Sequence, residues 1–96
     1  MDHNSGRLYE EQQNDSRAAV QNFIRRHGIS EWAVTVNIQE TATGTFTVRI
    51  EITPPPESGL PKWPVQEIAI AYASFDVAAE VDRLLELAWQ DHLPGN

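Results

Sequence analysis

The chain has no cysteine. That excludes disulfides, thiolate nucleophiles and cysteine-held zinc, and it accords with a reducing compartment. Long apolar runs are missing too. No stretch approaches the ~18 residues that cross a bilayer, and Met1 to Gly6 show neither the basic nor the apolar segment of a secretion signal. The expectation is a cytoplasmic protein. Histidine is scarce: His3, His27 and His92 are far apart, and none pairs at ligand spacing such as His-x-x-x-His. No nucleophile elbow, Walker loop or dinucleotide fingerprint occurs. Gly28, Gly44, Gly59 and Gly95 are isolated turn glycines. The sequence thus marks no catalytic residue, no metal site and no cofactor, and the expected chain is not an enzyme.

Positive charge is also scarce beyond residue 30. Residues 1–30 balance four acids against four bases. The net charge of −7 therefore falls wholly on residues 31–96, where ten acids meet Arg49, Lys62 and Arg83. Such a body repels phosphate backbones and anionic lipid. Membrane binding is not expected, nucleic-acid binding is disfavoured, and a basic protein is the partner the charge would attract.

Ninety-six residues make one domain. A chain of this length buries only about 60–65 % of its unfolded surface, which leaves little room for an enclosed substrate cavity. Residues 1–14 are polar and without apolar period, and read as a flexible N-terminal arm ahead of a domain over 15–93. Val20, Phe23 and Ile24 then recur at helical spacing over 16–27. Asp15 or Ser16 can cap the start, and Arg25, Arg26 and His27 suit the negative C-terminal end. Gly28 can take the left-handed stop, with Ile29 folding back.

Two segments alternate strictly. Trp32, Val34, Val36 and Ile38 share one face, and Phe46, Val48, Ile50 and Ile52 share another. Residues 41–44 between them have the length and glycine of a hairpin loop. Five of the six prolines lie in 53–64, which is therefore a loop. Residues 65–72 alternate Ile68, Ile70 and Tyr72 against Glu67, Ala69 and Ala71 and predict a third strand. A last helix should start near Ser74 or Asp76 and reach His92, with Val77, Val81, Leu84, Leu85 and Ala88 as its buried stripe and Leu87 and Trp89 widening it. The expected fold is α+β, in the order α-β-β-β-α. A three-stranded antiparallel sheet carries two helices packed on one face.

This order, over residues 16–91, resembles the double-stranded-RNA-binding domain. The resemblance implies a basic cluster at the start of the second helix, where phosphates would be gripped. Here that place reads Ser74, Phe75, Asp76, Val77, Ala78, Ala79, Glu80, acidic where lysines are needed. The only basic cluster is Arg25, Arg26 and His27, with Arg17 two turns earlier.

Candidate binding elements are three. The proline loop (Pro54, Pro55, Pro56, Pro61, Pro64) contains Pro61-Lys62-Trp63-Pro64, which fits the PxxP pattern read by aromatic-lined grooves. Its alternative role is a stiff crossover whose Leu60 and Trp63 pack on the body. The last helix offers Glu80, Asp82 and Glu86 to a basic partner, with Trp63 and Trp89 as aromatic contacts. The third strand is expected to present an open edge, and the wide stripe of the last helix offers a surface for packing on a second copy. The expected function is a small acidic protein-interaction module, with self-association as one form of it. The alternatives are an acidic inhibitor that mimics nucleic-acid phosphate on a basic partner, a divergent nucleic-acid binder, and a small enzyme with a site between subunits.

Overall fold

A computed structural model describes the backbone of residues 3–42, 44–74 and 76–92 and the side chains of all of these except 3–9 and 42. The elements follow the order α1 (His3–His27), β1 (Ala33–Ala42), β2 (Thr45–Thr53), β3 (Gln66–Ala71) and α2 (Val77–His92). The strands form one antiparallel sheet in the order β1-β2-β3. Both helices lie on one face, α1 against α2 and α2 against β3. This is the α+β architecture that the alternation and helical periods predict.

The sheet is built as a half-buried pleat requires. Central β2 turns Phe46, Val48, Ile50 and Ile52 inward, all fully buried. Val36 stands opposite Ile50 and Ile38 opposite Val48 on β1; Ile68 and Ile70 stand opposite Val48 and Phe46 on β3. The helices add Val20, Phe23, Val77, Val81 and Leu85 to the same cluster. The other face, with Thr35, Asn37, Arg49, Ala69 and Ala71, is exposed.

Local signals set the helix ends. Gly28, at φ 64°, ends α1: its N–H bonds the Arg25 carbonyl at 3.3 Å and the Ile29 N–H bonds that of Ile24 at 3.1 Å. This double bond is the Schellman stop, and Ile29 is its buried apolar partner. Asp76 caps α2, its Oδ1 accepting the Ala79 N–H at 3.0 Å.

Several boundaries differ from the sequence expectation. The first helix begins at His3, not near Ser16, so residues 3–14, read from sequence as an arm, are helical. A long-range polar contact, which periodicity does not reveal, ties this added stretch to the body. Gln12 is buried and its Nε2 donates to the Tyr72 carbonyl at 2.5 Å, while buried Ser16 bonds the Gln12 carbonyl at 2.9 Å. Met1 and Asp2 lie outside the described residues. Strand β1 continues to Ala42, with a register shift between Glu40 and Ala42 that narrows the turn. Strand β3 is shorter than expected, ending at Ala71.

Candidate functional site

The proline loop folds onto the body. Pro54 is buried, and residues Pro56–Ser58 make one 3₁₀ turn closed by Gly59 at φ 75°. Ser58 Oγ donates to the Pro55 carbonyl at 2.7 Å and accepts the Leu60 N–H at 3.1 Å. Trp63 N–H bonds the Ile52 carbonyl at 3.1 Å, and its side chain is only 3 % exposed. Its ring sits edge-on to Trp32 at 5.8 Å and lies 5.6 Å from His92. Trp63 is thus a core residue, and a groove reading Pro61 to Pro64 would have to extract it. Pro55 is half-buried, and Pro56, Pro61 and Pro64 are exposed on the outside of this anchored loop.

Trp89 is half-buried in the same aromatic cluster. His27 stacks on it at 4.0 Å, Phe23 meets it edge-on at 5.8 Å, and Trp32 and Trp63 lie 6.0 and 6.1 Å away. Direct ring contact at these distances leaves no cage for a cation between them.

The acids of α2 are occupied by the facing helix. Arg26 pairs with Asp82, and its Nε and Nη2 donate to Glu86 Oε2 at 3.0 and 2.6 Å. His27 Nε2 reaches the same oxygen at 2.8 Å. Burial pushes the Glu86 carboxyl up, but the hydrogen bonds from His27 and Arg26, and their charges, outweigh it and hold the group below the ordinary carboxylate value. The Arg26 guanidinium is raised by its hydrogen bonds to Asp82 and then Glu86. Glu80 accepts a hydrogen bond from Ser74 Oγ. Asp82 and Glu86 therefore clamp α1 to α2, and the acidic face is interrupted by Arg26. The same clamp engages two of the three residues in the basic cluster, Arg26 and His27, and Arg25 bonds Asn22.

Sequence reading noted Leu87 only as a flank of the stripe. The structure places it at the rim of a groove between α2 and the outer edge of β3, lined by Ile68, Glu80, Arg83, Leu84 and Leu87. The groove holds about 270 Å³, just under the ~300–1,000 Å³ of typical small-molecule sites, and suits inserted side chains. Leu87 is 54 % exposed and Val65, just before β3, 40 % exposed. They are the exposed large apolar residues among those described. Beside them β3 is an outer strand of the sheet, hydrogen-bonded on one side to β2. The sequence signal was present in Leu84 and Leu87 together, one helical turn apart, which is more apolar width than one sheet face can bury.

A second groove of similar size lies between the helices, lined by Ala19, Asn22, Arg26, Asp76, Ala78, Ala79 and Asp82. Its polar groups are those of the clamp and the α2 cap. Among the described residues no three His, Asp or Glu side chains gather as metal ligands, and no buried side-chain polar atom lacks a hydrogen-bond partner. Among the described residues no helix is long and apolar enough to cross a membrane. No family model, curated protein or solved structure matches the chain.

Proposed function

We propose that this domain is a non-enzymatic protein-interaction module that meets its partner with the open edge of β3 and the α2 groove beside it. The observation that carries this reading is the exposure of Leu87 at the rim of an apolar groove next to an unpaired strand edge. An exposed strand edge offers unsatisfied N–H and C=O groups to an added strand, and the groove supplies the side-chain pocket such an addition needs. Of the three elements the sequence suggests, this one is free to bind: the loop's tryptophan is buried and two of the three helix acids are paired with Arg26.

The test compares proteins retained by the wild-type chain with those retained by Leu87→Glu and by Asn37→Glu, the latter on the opposite sheet face. The expected partner is kept by wild type and Asn37→Glu and lost by Leu87→Glu. Retention indifferent to Leu87 refutes the assignment.

A further inference from the structure

We infer that the occupant of this edge and groove is a second copy of the chain, joined β3 to β3 in antiparallel register about a two-fold axis. The inference rests on the preceding reading that the groove is a protein interface. A two-fold interface must be complementary to itself, so every group on it needs its counterpart within the same patch. This patch meets that condition. Its two charged lining residues, Glu80 and Arg83, are opposite in sign and stand one turn apart on α2. Among the described residues Arg83 makes no ion pair. Turning one copy over sets Arg83 within side-chain reach of Glu80 of the partner subunit, twice per dimer. With the axis near Leu84, that residue meets its own counterpart, and each groove is covered by the partner's last helix.

The strand agrees. Antiparallel pairing of two β3 strands needs no special partner sequence, and it extends the three-stranded sheet to six strands. The outer face of β3 is Glu67, Ala69 and Ala71. Pairing about Ala69 sets each Glu67 opposite an alanine, so the like charges do not face each other. A partner of one strong charge would find no matching field here, since the patch holds both signs. The net charge of −7 on each copy opposes association, but charges farther apart than ~8 Å are largely screened at physiological salt.

Sedimentation equilibrium on the full chain tests this. The wild type should show twice the 10.8 kDa chain mass at high micromolar concentration, and Leu87→Glu should return it to one chain with an unchanged far-ultraviolet spectrum. Glu80→Arg alone and Arg83→Glu alone should each weaken association about tenfold. An equal mixture of those two variants should recover it, because every cross-subunit pair is again opposite in sign. Asn37→Lys on β1 should have no effect. A monomeric wild type overturns the inference. So does a dimer that ignores Leu87, or one whose two charge variants fail to rescue each other. If the wild type is monomeric while Leu87→Glu still abolishes capture of another protein, the second copy is excluded and the interface stands; if Leu87→Glu alters neither, both fall.

Discussion

Trp63 is a deeply buried side chain that ties the proline loop to the body, and its removal has a calculable cost. Trp63→Ala deletes a side chain only 3 % exposed, taking the edge contact from Trp32 and the ring contacts from Trp89 and His92. Large aromatic-to-alanine changes in cores cost about 3–5 kcal/mol, the upper part when the neighbours cannot collapse into the space. The neighbouring rings, Trp32 just before β1 and Trp89 and His92 on α2, are held by separate parts of the fold and cannot all shift together, so the cost should fall in that range. A domain of this size has a total stability of ~5–15 kcal/mol, and the variant should lose a large share of it. In urea, with a slope of ~1–3 kcal/mol/M, the midpoint should fall by about 1–5 M. Far-ultraviolet circular dichroism is the probe, since the substitution removes a fluorophore. Lys62→Ala, beside it but exposed, should stay within ~0.5 kcal/mol. A loss below ~1 kcal/mol for Trp63→Ala would show that burial of this ring does not anchor the loop.

Other consequences are smaller and separable. Because the folded Glu86 carboxyl sits below its ordinary value of 4.5, its contribution is complete above that pH and fades as the pH falls through the lower folded value; Glu86→Gln should flatten the acid limb of melting temperature against pH, and parallel curves for variant and wild type would refute it. Gly28→Ala should cost about 1 kcal/mol in urea titration through backbone strain alone, since a Cβ there meets nothing within 4 Å, and Gly28→Asn should cost less. Asp76→Ala should cost ~1 kcal/mol by removing the α2 cap, with Asp76→Asn keeping most of the stability in thermal melts. Leu85→Ala, at a fully buried position, should cost ~2–5 kcal/mol in the same titration.

Much of the fold was legible because it is written in local repeats. The alternation from Phe46 to Ile52 fixes which face of β2 is buried, and Gly28 after a basic turn fixes where α1 stops. What escaped is non-local. The early turns of α1 are held to the body through Gln12, bonded to the Tyr72 carbonyl sixty positions away, and no spacing rule announces such a partner. The same holds for the candidate surface. Glu80, Asp82 and Glu86 looked alike as acids on one helix, and only the approach of Arg26 separates them. Trp63 in a proline-rich loop fits a displayed contact and a buried anchor equally well by composition, and the choice is made by the space beside Trp32. Leu87 carried the most usable signal, since its helix is wider in apolar residues than a single contact face demands.

The clustering of the rings gives the molecule an uneven optical response. The chain's three tryptophans emit from one corner, where β1 begins, the loop docks and α2 nears its end, with the His27 imidazole laid on one of the indoles. Tryptophan emission, excited at wavelengths that tyrosine does not absorb, therefore watches that corner, while the contact between Gln12 and Tyr72 is dark to it. Melting curves followed by emission and by backbone dichroism should superimpose if the two come apart together, and separate if one lets go first.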